Sequence, residues 1–573
     1  MQKRWVIKKH DRDQVAELAE ALKISPLVAA LLISRGYETE ELASAFLNPS
    51  LEHLHEPLLM KGLQQAVDRI SKAIDNGEKV LIWGDYDVDG TTGTVLLRSM
   101  LKHLGGISGF HIPNRFTEGY GINTAALQEA QANGYSLVIS VDCGIRSFEP
   151  LRWAKENGLD VIVTDHHLSD EVNGNPPAFA IVNPNQTGCG YPDKHLAGVG
   201  VAFKLAHALL RKYGKENLVN SFLKIAAIGT VADIMQLTGE NRAIVALGLK
   251  DLDRTQHIGL RALMEVSDCR SQMTSYHIGF RIAPRINAAG RMDVARHVVE
   301  LLECEHLEDA RNLAELLDSR NRERQRIQQT ITELALLESE TIDQQRFIVV
   351  AGEGWHKGVI GLAASRIAEH FYRPTIVLSV ENGIAHGSAR SVANYHLINA
   401  LESCADLFEQ FGGHAAAAGM KIRSKNIDSL RQKLHRHASE NIRTEDLVPT
   451  LNIDAVVSPT TMNLDLVDEL GQLEPFGAGN PKPVFLTKGL IIRSEPLVMK
   501  EKHLKFDLSD TSGKRFEAVW WDGVRRSKGR TLKPRSCIEL AYVPEVNTWQ
   551  GNRRLQLVVE DIRADNYDGG KSS

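Results

Sequence analysis

The rhythm of apolar and polar positions changes several times along the chain, and each change marks a region. Residues 1–65 carry helical periodicity through Val15–Leu22 and again through Leu27–Leu32, punctuated by Pro26 and Gly36. From 66 to about 240, short apolar runs take over: Lys79-Val80-Leu81-Ile82-Trp83, Leu137-Val138-Ile139-Ser140-Val141 and Val161-Ile162-Val163-Thr164. Helical stretches lie between them, one over about 91–104 and another over about 124–132. Continuously apolar strands alternating with helices predict a parallel sheet covered on both faces. A helical region follows at 241–340 and ends in a long helix. Within it, Ser319 to Arg326 contains no apolar residue and holds Arg320, Arg322, Arg324 and Arg326. A stretch polar on every side predicts a linker helix that bridges two domains through solvent. A second α/β unit is expected at 341–445, opening with Arg346-Phe347-Ile348-Val349-Val350. In it, Gly412-Gly413-His414 reads as a tight turn and Ala415–Ala418 as the start of a packed helix. After the Pro/Gly-rich segment from Glu474 to Pro481, short β-type runs predict a small all-β domain at 446–565, read as a five-stranded OB barrel. A polar tail occupies 566–573. The fold class is therefore α/β: a parallel-sheet domain, a second α/β domain joined to it by a long helix, and a C-terminal all-β domain.

At roughly 100–200 residues per domain, 573 residues imply about three to five domains. Hydrophobic content of 43% and charged content of 24% exclude wholesale disorder and fibrous architecture. The net charge of −5 excludes a bulk polycation, so any hold on nucleic acid must be local. One such patch exists. Between Lys488 and Arg554, 15 Lys and Arg face 8 Asp and Glu, with Phe506, Phe516, Trp520, Trp521 and Trp549 interspersed. OB folds hold single strands with basic grooves and stacking rings, without reading sequence. Strand neighbours face opposite ways, so only one of Trp520 and Trp521 can serve as a platform. For Arg525 to Arg535 both a phosphate contact and a plain solvated loop stay open. No apolar run approaches the ~18 residues of a membrane helix. The start, MQKRWVIKKHDRD, lacks the apolar stretch of a secretory leader. Six cysteines without a CxxC pair are too sparse for a disulfide framework. A cytoplasmic protein with no membrane attachment is expected. The absence of a GxxxxGK[ST] loop argues against an ATP motor.

In open α/β sheets the reactive groups lie just past the carboxyl ends of the strands. Three predicted strands end in acids: one runs into Asp85-Tyr86-Asp87-Val88-Asp89-Gly90, one into Asp142, one into Asp165-His166-His167. The first motif also opens calcium loops, but those need Glu at the twelfth position, where Leu96 stands, and a preceding helix rather than a strand. An acidic turn that merely caps the next helix is the alternative on this motif alone. Asp233 adds a carboxylate inside the apolar run from Gly229 to Met235, and a buried Asp needs a metal or a cation. Mixed carboxylate and imidazole donors suit Mn²⁺. Four separated segments thus offer ligands for two metals about 4 Å apart, the arrangement used in phosphoryl hydrolysis.

With these segments the chain resembles the DHH phosphoesterase superfamily, and within it the RecJ family of bacterial 5′→3′ exonucleases specific for single-stranded DNA. Further matching motifs are Ile112-Pro113-Asn114-Arg115-Phe116 with Gly119-Tyr120-Gly121, Leu196 to Phe203, Pro284 to Arg291, Trp355 to Gly361, and Phe411 to Gly419. The resemblance covers about 65–565 clearly and 1–65 loosely. It implies a DHH domain at 66–240, a DHHA1 domain at 341–445 and the OB domain at 446–565. It implies that Asp85, Asp87, Asp142, His166 and Asp233 hold two Mn²⁺ or Mg²⁺ ions, with Asp142 bridging. His167 would contact the scissile phosphate, completing a catalytic set with Asp142 and His166. Asp89 is either a ligand or the residue that orients the loop. Cys143 stands where the family usually has Asn. Arg291, Ser388 and Arg390 would form the pocket for a terminal 5′-phosphate, a role suited to forked guanidinium groups. Taken alone, Arg291 also fits an interdomain salt bridge. Arg115 would sit at a channel mouth that excludes duplex, and Trp355, His356, Gly413 and His414 would touch DNA. The implied activity is metal-dependent, ATP-independent degradation of single-stranded DNA to mononucleotides in recombination and repair. The implied state is a monomer, and the implied partners are single-strand-binding protein and a repair helicase such as RecQ. Two alternatives stand beside it. One is a phosphodiesterase of short oligonucleotides or cyclic dinucleotides, which would not need the basic β domain. The other is a non-catalytic strand-binding relative, which would not need the full carboxylate and histidine set.

Overall fold

The computed structural model describes residues 3–115, 117–269, 272–292, 294–340, 346–527, 530 and 532–564, without the side chains of 338–340 and 549. Phe116, the Trp549 ring and the polar tail therefore lie outside the described residues. By contact the chain forms two compact units. One comprises His55–Asp233 and Gly248–Pro449; the other comprises Met1–Leu54, Ile234–Leu247 and Thr450–Ser573.

The first unit begins with a five-stranded sheet: β1 (Lys79–Gly84), β2 (Ile107–His111), β3 (Tyr135–Val141), β4 (Asp160–Thr164) and β5 (Ala180–Val182). The order is β2-β1-β3-β4-β5 and every pairing is parallel. The apolar runs of β1, β3 and β4 are buried, as both-face coverage requires. Strands β2 and β5 go beyond the three that the apolar runs predict. At the two edges, ISGFH is half polar and AIV is only three residues long, so neither presents the apolar run that marks a central strand. Strand order reverses between β1 and β3, which opens a crevice at their carboxyl ends. The helix Val88–Leu104 starts there because the Asp87 side chain accepts the Gly90 N–H at 3.0 Å, an N-cap.

The helix Leu307–Glu340 leads from this domain to the second sheet. Its polar middle does not run through solvent on all sides, as the sequence pattern suggests. Asp318 and Asn321 are buried on the same face as Ala310, Ala314, Leu317, Ile331 and Ala335. Both buried groups accept from arginines. Arg285 Nε donates to Asp318 at 2.9 Å, and Arg324 donates to Asn321 at 2.6 Å and to Gln328 at 2.9 Å. Burial of mutually bonded polar groups leaves no trace in a hydrophobic pattern.

The second sheet contains β6 (Ile348–Glu353), β7 (Thr375–Glu381), β8 (Ile384–Arg390), β9 (Phe408–Gly413) and β10 (Ala417–Arg423), in the order β9-β10-β8-β7-β6. Only β6 and β7 pair in parallel. The β7–β8 hairpin turns on Asn382-Gly383, both at positive φ, the residues a tight two-residue hairpin favours. The alanine run before Gly419 enters strand β10 instead of the packed helix expected. Ala418, Met420 and Ile422 alternate into the core, and cross-strand pairing overrides alanine's helix preference.

In the other unit, β11 (Ala455–Val456), β12 (Phe485–Ile492), β13 (Leu497–Met499), β14 (His503–Ser509), β15 (Arg515–Trp520), β16 (Cys537–Trp549) and β17 (Asn552–Ala564) form a continuous sheet. A β12–β14 pairing through Ile491↔Ser509 and Ile492↔Leu508 closes β12-β16-β17-β15-β14 into a five-stranded barrel. Residues Arg4–Ile7, which the pattern places in a helical region, form a strand parallel to Thr450–Ile453. The helices Arg12–Leu22, Pro26–Ile33 and Glu40–Leu47 share one core with the barrel: Leu18, Leu31, Leu32 and Phe46 belong with Phe485, Phe506, Leu508 and Tyr542. Among the described residues, no helix is long and apolar enough to cross a membrane.

Of the paired tryptophans, Trp520 is fully buried, with the guanidinium groups of Arg526 and Arg530 each 5.4 Å from its ring, while Trp521 is 51% exposed. Arg526 and Arg530 also donate to the carbonyls of Glu560 and Ile562, so they build the barrel wall. Trp520→Ala is expected to destabilise the barrel by about 3–5 kcal/mol and Trp521→Ala by no more than about 0.5 kcal/mol. Thermal unfolding of the two variants checks the contrast.

Candidate metal centre and phosphate pocket

The crevice between β1 and β3 gathers the acids. Asp85 follows β1, and Asp87 caps the next helix. Asp142 follows β3 at φ 62°, a left-handed conformation costly for a non-glycine residue, and its N–H bonds to the Thr164 carbonyl at 3.0 Å. β4 delivers Asp165, His166 and His167, and the helix Val219–Ala232 ends directly before Asp233.

His166 Nε2 stands 3.1 Å from Asp142 Oδ1 and 3.6 Å from Asp233 Oδ2. The donor atoms fall into three overlapping groups, each within 4.8 Å: Asp85, Asp87 and Asp142; Asp142, His166 and His167; Asp89, His166 and Asp233. Among the described residues, Asp85 Oδ1, Asp142 Oδ1 and Asp233 Oδ2 are buried without a hydrogen-bond partner. Orphaned carboxylate oxygens converging with an imidazole nitrogen are the chemistry of a divalent-cation site, so the residues present fit one.

The charges behave accordingly. Burial, and then the neighbouring carboxylates, push Asp85 up to about 8 and Asp233 up to about 7, and drive Asp89 and Asp142 well above the carboxylate range. Burial lowers His166 to about 4, which keeps its imidazole neutral and its lone pair available. His167 moves the other way. Burial works against its charge, but the Asp165 carboxylate at 2.7 Å from Nδ1 raises it.

Two acids in these motifs also bind backbone N–H groups. Asp89 accepts the N–H groups of Gly198 and Val199 at 2.6 and 2.7 Å, so it ties its loop to the next helix. Asp165 accepts the N–H groups of Ile145, His166 and His167 besides holding the His167 ring. Sequence reasoning assigns Asp165 no role of its own, although its place directly before two histidines is the available signal. Tyr120 is missed as well: its hydroxyl donates to the Asp142 carbonyl at 3.3 Å. Cys143 is buried in the core of this domain.

A cationic pocket adjoins the acids. Arg291 ends the helix Ala283–Arg291 and donates to the Gly358 carbonyl at 2.9 Å. The preceding Gly290 packs on the loop of the first motif so closely that a Cβ would lie 2.4 Å from the Tyr86 carbonyl. Ser388 and Arg390 lie on β8, with Arg390 Nη1 donating to Ser388 Oγ at 3.2 Å. The first turn of the helix Ile360–Phe371 presses on both. At Gly361 a Cβ would sit 2.9 Å from Ser388 Oγ and 3.3 Å from Arg390 Nη2, so a larger residue there would press on both side chains. Burial lowers Arg291 to about 10, and the fields of Arg115, Arg324 and Arg390 add to that. Guanidinium groups crowded with no carboxylate partner among the described residues, beside a helix N-terminus, have the chemistry of an anion-binding site. Sequence reasoning misses Arg324 as a member of this cluster; the apolar-free stretch around it is legible only as a linker.

Arg115 is exposed, its guanidinium 5.0 Å from the Tyr86 ring centroid. Trp355 and His356 are half-buried. Trp355 packs against the sheet at Gly352, and His356 Nδ1 accepts the Gly358 N–H at 3.2 Å, so both shape the loop that meets Arg291. Gly413 and His414 stand at the β9–β10 turn, where the His414 N–H bonds to Ala417 O at 2.8 Å. Gly413 pairs with Ala418, and Ala418 with Ala389, which puts this turn two strands, about 10 Å, from the pocket strand.

The domain set is that of the DHH superfamily. Residues 79–230 match the DHH family, N-terminal domain, 344–440 the DHHA1 domain, and 453–561 the RecJ OB domain. The single-stranded-DNA-specific exonuclease RecJ of Bacillus subtilis (strain 168) is 40% identical over 564 residues, 97% of this chain and 70% of that protein. The Escherichia coli (strain K12) protein of the same name is 32% identical over 588 residues, 98% of this chain and all of that protein. The crystal structure of RecJ in complex with Mn²⁺ from Thermus thermophilus superposes with a TM-score of 0.84 at 30% identity, over 98% of this chain and 79% of that one. The chain belongs to the RecJ family.

The raised carboxyls set a pH dependence. Between the ordinary Asp value of 3.8 and the folded values near 7 and 8, the folded cluster keeps protons that the unfolded chain has released. Stability therefore falls as pH rises across that window. In EDTA the Tm is expected to fall from pH 5 to pH 8, and Mn²⁺ at pH 8 to restore it. A metal-free Tm that climbs over this range would contradict the assignment.

Proposed function

We propose that this chain is a metal-dependent, ATP-independent exonuclease that degrades single-stranded DNA from its 5′ end to mononucleotides in recombination and repair. The observation that carries the reading is the juxtaposition of three orphaned carboxylate oxygens with an arginine-lined anion pocket through Gly290 and Tyr86.

Asp85, Asp87, Asp142, His166 and Asp233 would hold two divalent ions, with Asp142 shared. RecJ structures from Thermus thermophilus carry Mn²⁺ in one case and Mg²⁺ in another, and oxygen-rich sites of this kind accept both. Such ions supply Lewis-acid activation of water and of the phosphoryl group. His167 has a half-exposed side chain, and Asp165 favours its protonated form. It can therefore donate to a phosphate oxygen as negative charge builds up. Arg291, Arg390 and Ser388 bind the terminal 5′-phosphate. Because that pocket abuts the acids, the bond presented for attack is the one nearest the 5′ end, which gives both polarity and mononucleotide products. Arg115 narrows the entry against duplex, Trp355 and His356 support the pocket loop, and Gly413 and His414 offer backbone and imidazole to the strand.

Single-stranded DNA is also the natural ligand of the OB barrel, where Trp521 offers an exposed ring. An enzyme without an ATP motor acts on strands that others expose, so we assign single-strand-binding protein and a helicase such as RecQ as partners. We take the chain to act as a monomer in the cytoplasm, in keeping with six cysteines that are all free.

A long strand labelled at its 5′ or its 3′ terminus tests the reading. With Mn²⁺, the 5′ label is expected to appear at once as mononucleotide while the 3′ label stays in shortening strands, and Asp142→Ala to abolish both. Intact strands, or cleavage of short oligonucleotides or cyclic dinucleotides alone, would overturn it. Arg291→Ala is expected to cost roughly 10- to 100-fold in kcat/KM on 5′-phosphorylated strands and much less on 5′-hydroxyl strands. Equal losses on the two substrates would remove Arg291 from the pocket.

A further inference from the structure

The Pro/Gly-rich segment from Glu474 to Pro481 has no part in the reaction described above, yet it grips the chain just beyond one acid of the cluster. Between Asp233 and Ile234 the chain passes from the first unit to the unit that holds the barrel. Ile234 adopts φ 57° with its side chain 75% exposed. A β-branched residue in the left-handed region is a backbone outlier, and it persists only where the surroundings over-determine it. An exposed side chain contributes little to that, so the hold lies further along the chain.

It begins three residues on. The Leu237 N–H donates to the Ala478 carbonyl at 2.7 Å. The Leu237 side chain is buried, and a Cβ on Gly477 would come 2.7 Å from its Cδ1. Gly479, at φ 72°, passes over Gln236 and Thr238, where a Cβ would lie 3.3 Å from Gln236 Cβ and 3.2 Å from Thr238 Cγ2. Asn480, fully buried, fixes this turn: its amide donates to the Leu473 and Pro475 carbonyls at 2.7 and 2.8 Å and its oxygen accepts from Arg35 at 2.5 Å. From the other side comes Arg242, on the helix Gly239–Leu249. Its buried guanidinium lies 3.5 Å from the Phe46 ring centroid and donates to the carbonyls of Phe46, Leu473 and Glu474 at 2.7, 3.1 and 2.8 Å. It has no carboxylate partner among the described residues. A rigid fork meets three carbonyls in one arrangement only, so Arg242 specifies the conformation of the turn.

Resting on the exonuclease reading, we propose that the Glu474–Pro481 turn and Arg242 form a clasp that positions Asp233 for the ion it shares with His166. The route is short: Leu237 is four residues from Asp233, at most roughly 14 Å of chain. Within it the left-handed Ile234 sets the direction in which the backbone leaves Asp233. On the other side Asp233 is set by the end of the helix Val219–Ala232, where its N–H bonds to the Gly229 carbonyl at 2.9 Å. Asp233 Oδ2 has no hydrogen-bond partner among the described residues, so backbone held on both sides carries the positioning. Arg242 and Asn480 are positioning residues: they act on the ligand without touching the metal, and groups of that kind govern metal affinity by roughly 10- to 100-fold.

The test titrates the full-length protein with Mn²⁺ and reads the loss of the free-ion EPR signal, with no DNA present. Wild type is expected to take up two ions. Ile234→Gly removes the strained residue without emptying any core. Arg242→Lys keeps the charge and loses the fork. Each is expected to weaken one of the two ions about tenfold and leave the other unchanged, with the Tm of Ile234→Gly in EDTA no lower than that of wild type. On 5′-phosphorylated strands the Mn²⁺ concentration giving half the maximal rate should rise in the same proportion, and excess Mn²⁺ should restore the rate. Equal weakening of both ions would mark a general loosening of the fold and overturn the proposal, as would unchanged uptake by Ile234→Gly. Should Arg242→Lys fail to fold, Ile234→Gly alone decides. A wild type that takes up no Mn²⁺ would overturn the exonuclease reading and the clasp with it. The expected uptake pattern without strand cleavage would uphold the clasp and overturn the exonuclease reading.

Discussion

Burying several carboxylates together is the constraint on which the rest of the first unit depends. Asp85, Asp142 and Asp233 each bury an oxygen that makes no hydrogen bond among the described residues, and burial together with the charge of neighbouring carboxylates raises the affinity of all three for protons. A fold tolerates such a cluster only where secondary structure forces it. Here the parallel sheet does so. Strand order reverses between β1 and β3, so the residues following both strands must share one crevice, and β4 supplies the imidazoles beside them. Neighbouring acids are spent on geometry: Asp89 anchors one helix start, and Asp165 orients His167. The left-handed Asp142 lies between them as the strained centre.

The arginine pocket is the electrostatic complement. Arg291, Arg390, Arg324 and Arg115 repel one another much as the carboxylates do, and they are held by packing: Gly290 on Tyr86, Gly361 on Ser388. Two mutually frustrated fields of opposite sign, set side by side, are each relieved by a ligand of the other charge. On the proposed reading, divalent cations would relieve one and a terminal phosphate the other. A strand with a 5′-phosphate would then satisfy both only when it lies in one direction, and on this proposal polarity follows from the charge layout without any base being read.

The legible parts of this protein are those with local signatures. β1, β3 and β4 announce themselves as apolar runs with acid tips, and the barrel as short strands with a net positive charge. The edge strands β2 and β5, and the N-terminal strand Arg4–Ile7, are not legible, because an edge or a two-stranded pair needs little apolar density. The Leu307–Glu340 helix hides its inner face because Asp318 and Asn321 are buried with bonded partners, Arg285 and Arg324, and hydropathy reads such polar residues as exposed. The alanine strand β10 is misread because part of its pairing, with β8, is distant in sequence. Whether Asp89 faces the site or the backbone depends on a contact 109 residues away, beyond any motif.

The shared core of the N-terminal helices and the barrel has a consequence for how the chain is made. Leu18, Leu31, Leu32 and Phe46 find their partners only after about 400 further residues have been translated. At about 5–20 residues per second, the first helices leave the ribosome some 20–80 s before the barrel exists. Throughout that interval their apolar faces are uncovered while the sheet unit folds between them. The newborn chain therefore carries a sticky helical segment until the barrel strands emerge, and the aggregation risk of that segment ends only when they fold.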